Sequence, residues 1–414
     1  MKLNKTLLVA ALSLGLAGAA NAACSTATAT HIYITGSTAF RGATIKAIEA
    51  CLSPGFNYAA YKESASFAPY VTARQTAGYI NYYGNLAADG ACVVIKCAWS
   101  GSEAGYQDVV KCTTQKEGFM DDTIGGFGVA NIDSTAAVPN TSDSHAVDIA
   151  MSDTSQPFSK PASRSPVIAN ICKAGIIPFV WVKNAQTAAD ISANADYNDL
   201  VNVTHPQLRV AIQTGSKLSL FTGKPDQNKY VYVAGRDNNS GTRANALLDL
   251  GYPVTQPVGQ TIIGGATGAP TLGALGNGGQ SSGGTLGNTL LITGSAAAAD
   301  SINGGTGWYA IAYMGKADAL TREAQYLPSG TPPLVELTLN GVAETDANIE
   351  EGQYSFWGQE YCALANCDTL ASEAGVLWTA LCAKFPTSTT AGLEIPITAM
   401  HATKTPDSAD PVHN

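Results

Sequence analysis

Three stretches of the chain join a turn of Gly, Ser and Thr to a helix, and this repeated unit constrains the fold more than any other feature. In residues 31–51 an alternating apolar run precedes Gly36-Ser37-Thr38 and a helical apolar stripe. Residues 99–110 have the pattern of a turn that opens a helix, and residues 229–252 combine a strand, a polar turn and an amphipathic helix. Strands that alternate with helices predict an α/β chain with mainly parallel pairing.

Outside these units the pattern alternates between strands, helices and turns. Apolar and β-branched runs predict strands, and the other stretches follow from helical spacing or turn-forming residues. We expect strands at 146–153, 174–184 and 394–407, a helix at 187–202 capped by Thr187, a strand and short helix at 305–320, loop with short strands at 118–147, and β-rich turns at 259–287.

The three turns are candidate anion sites. A helix start leaves backbone N–H groups unpaired and has the positive end of the helix dipole, so it can bind an anion without net positive charge. For any single turn, simple capping by Ser or Thr is the plainer interpretation. The turns are Gly36-Ser37-Thr38, Gly101-Ser102-Glu103 and Ser240-Gly241-Thr242.

Two charged residues lie beside these turns. Arg236 precedes Ser240 by four residues and could place its guanidinium on an oxyanion, although an ion pair with Asp237 would explain it equally well. Asp153 ends an apolar run, where it either caps the next turn or accepts the hydrogen of a protonated oxyanion. Phosphate has such a hydrogen near neutral pH and sulfate does not.

The charge composition excludes a broad electrostatic attraction for polyanions. The 414 residues have a formal net charge of −9, and only 13% are charged. The length allows two domains, and 45% hydrophobic residues argue against a disordered chain. We therefore expect no binding to nucleic acid or to an anionic membrane surface, and any bound anion must be held by local donors.

Residues 1–22 have the pattern of a cleaved secretory signal peptide. Basic residues precede an apolar run at 7–20, and small residues up to Ala22 suit cleavage. The mature protein is therefore expected to be periplasmic or secreted. Lipidation at Cys24 is the alternative, but Asn21 stands where a lipobox needs a branched aliphatic residue.

All nine cysteines lie in the exported part, where disulfide bonds are the default expectation. Two groups of three are close in sequence, which predicts local pairs inside each group. The odd total leaves one thiol free or paired between chains. A zinc site is disfavoured, since neither group has two CxxC pairs or a nearby histidine. The cysteines are Cys24, Cys51, Cys92, Cys97, Cys112, Cys172, Cys362, Cys367 and Cys382.

Five segments occur in the order found in one known family. They are ITGSTAF (34–40), WSGSEAGYQDV (99–109), DIAMSDTSQPFS (148–159), the stretch 176–243 with its Arg-Asp-…-Ser-Gly-Thr loop, and GTGWYAIAYMGKADAL (305–320). In these segments the chain resembles the periplasmic phosphate-binding proteins of ABC uptake systems. The resemblance implies an α/β fold of the two-lobe periplasmic-binding-protein type, with each lobe a mixed sheet flanked by helices and the ligand cleft between the lobes.

The resemblance also implies a division of the chain and a function. The signal peptide would cover 1–22, the first part of lobe I 23–180, lobe II 181–309, and the return to lobe I 310–414. The protein would capture inorganic phosphate for an ABC permease, without a cofactor or a metal, and would meet the membrane only through the transporter. The implied phosphate-binding residues are Thr38, Ala39, Phe40, Ser102, Asp153, Arg236, Ser240, Gly241 and Thr242.

Several departures from that family leave two alternatives open. Glu103 stands where the family has a small polar residue, and a carboxylate there would repel phosphate unless it points away. Residues 58–98 and 112–147 are longer than the family's connections, and 259–295 is unusually rich in glycine. The alternatives are a surface, adhesive or scavenging protein that reuses the fold, and a protein that binds another tetrahedral oxyanion.

An enzymatic function is not predicted. Gly279-Gln280-Ser281-Ser282-Gly283 fits the GxSxG hydrolase motif, but the glycine-rich sequence around it does not predict the strand and helix that this motif needs. The five histidines lack a metal-binding spacing, and no Walker-type loop indicates a nucleotide.

Overall fold

In the computed structural model, a large mixed sheet with helices packed against it forms the body of the protein. The structure describes residues 24–62, 74–112, 118–134, 136–184, 195–266, 269–290, 309–323, 334–404, 407 and 410–413. The signal peptide and the first half of the predicted helix at 187–202 lie outside these residues. In the described half, Ala195–Asp199 is a 3₁₀ helix and Asn202 begins a short strand, so an α-helix is not found there.

Strands β1 to β17 occur in chain order. They are β1 Thr30–Gly36, β2 Asn57–Lys62, β3 Ala77–Asn85, β4 Cys92–Ala98, β5 Ile132–Ser134, β6 Ile149–Ser152, β7 Asn170–Asn184, β8 Asn202–Val203, β9 Ser216–Lys217, β10 Tyr230–Ala234, β11 Gln260–Ala266, β12 Ala269–Gly276, β13 Tyr309–Gly315, β14 Leu334–Leu339, β15 Trp357–Leu364, β16 Ala402–Thr403 and β17 Val412–His413.

Helices α1 to α9 lie between and beside these strands. They are α1 Arg41–Cys51, α2 Ser102–Lys111, α3 His205–Thr214, α4 Leu218–Thr222, α5 Gly241–Asp249, α6 Gly283–Leu290, α7 Lys316–Glu323, α8 Asp346–Glu350 and α9 Glu373–Lys384. The predicted apolar stripe of α1 is buried, because Ala43, Ala47, Ile48 and Cys51 all face the core.

The sheet order places the ends of three parallel strands side by side. Within the described residues the sheet runs β5-β2-β3-β4-β1-β6-β15-β7-β13-β10-β9, and β1 pairs in parallel with both β4 and β6. The carboxyl ends of β4, β1 and β6 therefore share one edge, which is where ligands bind in many open α/β sheets.

Strand β7 joins the two parts of the sheet. Its first half, from Asn170 to Pro178, pairs with β15, and its second half, from Phe179 to Lys183, pairs with β13. Because β13 also pairs with β10, the long strand β7 links the group around β1 to the group around β10.

The prediction of mainly parallel pairing is wrong. Antiparallel pairs outnumber parallel ones among the described strands, since β2, β3 and β4 form a meander and β15 returns antiparallel between β6 and β7. The sequence at 58–95 has no clear alternation because both faces of β3 and β4 are buried.

Most local predictions are confirmed, and one is largely wrong. The strands and helices expected at 31–51, 99–110, 146–153, 174–184, 229–252 and 305–320 are present, and 259–287 holds the β11–β12 hairpin. The predicted last strand at 394–407 is reduced to a 3₁₀ turn and the two residues of β16.

The disulfide bonds join distant segments and not neighbours in sequence, so the predicted local pairs are wrong. The observed pairs are Cys24–Cys92, Cys112–Cys367 and Cys172–Cys382. Cys92 and Cys97 lie on one strand, where five residues extend ~16 Å, far beyond the reach of a disulfide. Three buried cysteines keep free thiols: Cys51, Cys97 and Cys362. The bond at Cys24 uses the thiol that lipidation would need.

None of the helices in the described ranges is long and apolar enough to cross a membrane.

Candidate functional site: a buried junction of four turns

Four turns that follow strand ends meet at one place. β1, β4 and β6 continue into Thr38, Ser102 and Asp153, and β10 continues into Arg236 and the start of α5 at Gly241. The side chains are almost fully enclosed, from 1% exposed for Arg236 to 6% for Thr38. The structure thus brings together residues that are up to 203 positions apart in the chain.

Arg236 is the charged centre of this junction. Its Nη2 donates to Thr38 Oγ1 at 3.3 Å and to the Ser281 carbonyl at 2.7 Å, and its Nε donates to the Gln280 carbonyl at 3.1 Å. Its Nη1 has no hydrogen-bond partner within the described residues. A buried cation with an unused donor is costly unless a further group binds it.

Arg236 and Asp237, which are both described, do not form the local ion pair that could have explained the position of Arg236. The Asp237 carboxylate accepts the N–H of Asn239 at 2.9 Å, and the guanidinium points to carbonyls and Thr38. Burial raises the pKa of Asp237, and the nearby charge of Arg236 opposes that rise.

Asp153 is a buried carboxyl of the same junction, close enough to Arg236 for that charge to act on it. It is 2% exposed, and its Oδ1 has no hydrogen-bond partner among the described residues. Burial raises the pKa of Asp153 to about 7, while the Ser102 hydroxyl and the charge of Arg236 act against this rise. Near neutral pH the carboxyl can therefore exist both with and without its proton, so it can donate or accept a hydrogen bond.

The backbone around Asp153 is fixed by its neighbours. Its N–H donates to Ser102 Oγ at 3.3 Å, and its carbonyl accepts from Asn245 Nδ2 at 2.7 Å. Gly241 lies so close that an added Cβ would overlap the Asp153 Oδ1. The carboxyl consequently faces the first residue of α5, at the positive end of that helix.

The turn after β10 closes directly onto the start of α2. The Asn239 carbonyl accepts the Glu103 N–H at 3.1 Å. Gly101 has a φ of +93°, and an added Cβ would stand 2.5 Å from the same carbonyl, so only glycine fits there. Lys160 adds a contact from its Nζ to Asn239 Oδ1 at 3.3 Å.

Glu103 is directed away from the junction, which removes the expected repulsion. Its carboxylate accepts the Lys160 N–H at 2.7 Å and the Thr154 hydroxyl at 3.0 Å. Burial raises the pKa of Glu103, and these hydrogen bonds oppose the rise. The residue that departs from the family pattern has a structural role between α2 and the segment after β6.

The other predicted site residues have mixed positions. The Ser240 hydroxyl caps α5 by accepting the Arg243 N–H at 3.2 Å, which is the plain capping role. The Phe40 ring is buried against Phe385, so only its backbone could meet a ligand. Ala39 and Thr242 are buried at the helix starts.

Several residues at the junction were not predicted. The Tyr313 hydroxyl accepts the Arg236 N–H at 3.3 Å and donates to Gln260, whose Nε2 donates to the Arg236 carbonyl at 3.1 Å. These residues come from β13 and β11, and only tertiary structure brings them to Arg236. Nothing in their sequence context distinguishes them from ordinary polar residues of strands.

Glu360 is a second buried carboxyl near Asp153. It lies in β15, is 0% exposed, and neither carboxylate oxygen has a hydrogen-bond partner within the described residues. Burial and then the charge of Asp153 hold the pKa of Glu360 well above its usual range, and the Ser37 hydroxyl opposes this. An acidic residue inside an apolar strand is the sequence signal that could have identified it.

The GxSxG segment belongs to this junction as a support for Arg236. It follows β12, and its last residue, Gly283, begins α6, so the strand and helix that its sequence did not predict are present. The Ser281 carbonyl accepts from Arg236, and the Ser282 hydroxyl caps α6. All five histidines pair with carboxylates elsewhere, at Asp122, Asp143, Asp249 and Glu351.

Comparisons with known proteins give structural likenesses only. No protein-family model matches the sequence, and no curated protein matches it significantly. Among solved structures, one similar chain is a candidate phosphate ABC transporter substrate-binding protein with bound phosphate from Clostridium perfringens. It is 12% identical, with a TM-score of 0.45 over 89% of this chain and 100% of that chain.

Two further solved structures align with a similar share of this chain and have lower TM-scores. An ABC-type phosphate transport receptor from Vibrio cholerae is 11% identical over 86% of this chain and 97% of its own, with a TM-score of 0.39. Corynebacterium glutamicum OxyR, with bound hydrogen peroxide, is 8% identical over 87% of this chain and 67% of its own, with a TM-score of 0.35. At these scores the likenesses assign no function, and the case for one depends on the geometry of the junction.

Proposed function

We propose that the protein captures inorganic phosphate at the junction of Thr38, Ser102, Asp153, Arg236 and Gly241. One observation is the main support: Arg236 Nη1 and Asp153 Oδ1 are both buried without a hydrogen-bond partner in the described residues. A guanidinium donor and a carboxyl that can accept a hydrogen together match an oxyanion that is partly protonated. Phosphate is such an anion near neutral pH, and sulfate is not.

The backbone N–H groups at the starts of α1 and α5 would supply the remaining donors. The N–H groups of Gly241 and Thr242 and those of Thr38 and Ala39 form no hydrogen bond within the described residues. Micromolar binding corresponds to ~8 kcal/mol, and each charge-assisted hydrogen bond contributes roughly 1.5–3 kcal/mol. Several converging donors are therefore enough, even though the net charge of the chain is negative.

The proposed cellular role is delivery of phosphate to an ABC permease from the periplasm, after cleavage of residues 1–22. In this proposal the segments 23–180 and 310–414 form one lobe, and 181–309 form the other. β7 and β13 would act as the connections between the lobes, since β7 crosses the boundary at residue 180, β13 crosses the boundary at residue 309, and the two strands pair with each other.

The test is a titration of protein freed of ligand by partial unfolding and refolding. Calorimetry with phosphate, arsenate, sulfate and molybdate should show tight phosphate and arsenate binding and weak sulfate binding. A preference for sulfate or molybdate would assign another oxyanion. No binding of any of the four would favour the surface or adhesive alternative and contradict the proposal.

A further inference from the structure

A group of three metal-ligating side chains lies on the surface at the C-terminal end of the chain. His401 Nδ1 is 2.7 Å from Glu351 Oε1, and His413 Nε2 is 2.8 Å from Glu351 Oε2. One ligand atom from each residue lies within 4.8 Å of the other two. No other group of three His, Cys, Asp or Glu residues in the described part of the chain has such an arrangement.

The backbone holds the three residues in place. β16 and β17 form a two-stranded hairpin in which Ala402 is opposite His413. The His401 N–H donates to the Glu350 carbonyl at 2.9 Å, which fixes the hairpin to the end of α8. The cluster was not predicted from the sequence, because His401, His413 and Glu351 do not have the spacing of a metal motif.

We propose that Glu351, His401 and His413 bind a divalent transition-metal ion, with Zn²⁺ as the expected occupant. Two imidazoles and one carboxylate are a zinc ligand set that leaves a fourth position for water. The side chains are 60%, 57% and 42% exposed for His401, His413 and Glu351, so they can rotate and water can reach the ion. The nitrogens that would bind the ion are the ones that now face the Glu351 carboxylate.

The other histidine pairs do not provide such a site. His31 and His145 contact Asp122 and Asp143, but the ammonium of Lys96 binds both carboxylates and supplies a resident cation. His205 contacts Asp249 without a second imidazole beside it in the described residues. These pairs provide controls for a histidine that meets a carboxylate but binds no metal.

The metal would stabilise a segment that reaches the proposed anion site. Between the two histidines, the Asp407 carboxylate accepts the Ser155 N–H at 2.8 Å and the Ser155 hydroxyl at 2.7 Å. Ser155 lies two residues after Asp153. The metal proposal itself does not depend on phosphate binding, because none of its ligands lies at the junction.

The experiment is a calorimetric titration of the chelator-treated protein with Zn²⁺ in phosphate-free buffer. We expect one equivalent to bind, and His401→Ala or His413→Ala to weaken binding by at least roughly tenfold, the effect of losing even an outer partner of a metal ligand. His145→Ala is the matched control, since it removes an exposed histidine paired with a carboxylate, and it should bind Zn²⁺ as the unaltered protein does.

Co²⁺ spectra give an independent measurement that does not depend on stability. The unaltered protein should show visible bands of four-coordinate nitrogen and oxygen ligation, and both histidine variants should lose them. A thiolate-to-cobalt band in the near ultraviolet would place the metal on Cys51, Cys97 or Cys362 and overturn the proposal. Failure to bind Zn²⁺, or equal binding by the His401 and His413 variants, would overturn it as well.

Discussion

Gly241 lies directly against the carboxyl of Asp153, at the point where the turn after β10 meets the end of β6. An added Cβ would overlap Asp153 Oδ1 and stand 2.5 Å from Ser102 Oγ. The first residue of α5 must therefore lack a side chain for the turns to meet. This contact connects the two halves of the sheet at the proposed phosphate site.

Gly241→Ala should abolish tight phosphate binding while the protein stays folded. The methyl group cannot fit beside Asp153 without moving the turns apart, which separates the donors of α5 from Arg236 and Thr38. Calorimetry should show a loss of at least tenfold in affinity, about 1.4 kcal/mol. Gly276→Ala is the control, because its added Cβ would meet Ile262 Cδ1 at 3.5 Å and the Gly278 nitrogen at 4.0 Å, both ordinary contact distances. Equal binding by both variants would show that the contact is not required.

Arg236→Ala should weaken phosphate binding by more than roughly tenfold, because charge-assisted hydrogen bonds contribute about 1.5–3 kcal/mol each. Arg164→Ala is the matched control, since Arg164 is exposed and its side chain donates to the Ser159 carbonyl, away from the junction. Both variants should be measured in the same buffer. An affinity of the Arg236 variant within error of the unaltered protein would show that this arginine serves only to fix the Gln280–Ser281 segment.

Asp153 should make sulfate binding depend on pH. Its pKa is about 7, so the carboxyl is ionised above this pH and repels sulfate, and it is protonated below this pH and can donate to sulfate. Sulfate should therefore compete better with phosphate at pH 5 than at pH 8. In Asp153→Asn this dependence should disappear and discrimination against sulfate should weaken.

Asp148→Asn is the matched control for that prediction. Burial raises the pKa of Asp148 to about 7 as well, but its carboxylate accepts the Tyr33 N–H at 2.7 Å, away from the junction. Sulfate competition in this variant should keep its pH dependence. Loss of the dependence in both variants would assign it to folding and not to the ligand.

Ionisation of the buried Glu394 carboxyl should lower the free energy of unfolding as the pH rises. Burial raises its pKa from 4.5 to about 7, and the Thr390 N–H and the charge of Lys46 oppose the rise. Because the folded protein favours the protonated form, this contribution to stability is complete below pH 4.5 and is lost as the pH rises through about 7. Between pH 5 and 8 the free energy of unfolding should therefore fall less for the Glu394→Gln variant than for the unaltered protein. The difference between the two should be at most about 3 kcal/mol.

Urea unfolding in phosphate-free buffer measures this difference. Asp121→Asn is the control, because hydrogen bonds from Thr123 lower the pKa of this exposed carboxyl and it stays ionised over the whole range. Parallel pH profiles for Glu394→Gln and the unaltered protein would contradict the prediction.

The sequence by itself determined the local units: β1 with α1, β10 with α5, and the turns that join them. Alternation of apolar residues, capping serines and turn glycines act within a few residues, so they can be identified without tertiary structure. The same reasoning selected Arg236 and Asp153 from their positions beside those turns.

Tertiary structure decided how distant parts of the chain meet. The disulfide partners, the antiparallel return of β15, the support of Arg236 by Tyr313 and Gln260, and the group of Glu351, His401 and His413 all depend on strand order. Strand order is set by burial over the whole sheet, and no short segment contains that information. For the same reason the sequence could not show whether Glu103 faced the junction, whereas the Lys160 N–H and the Thr154 hydroxyl settle its direction.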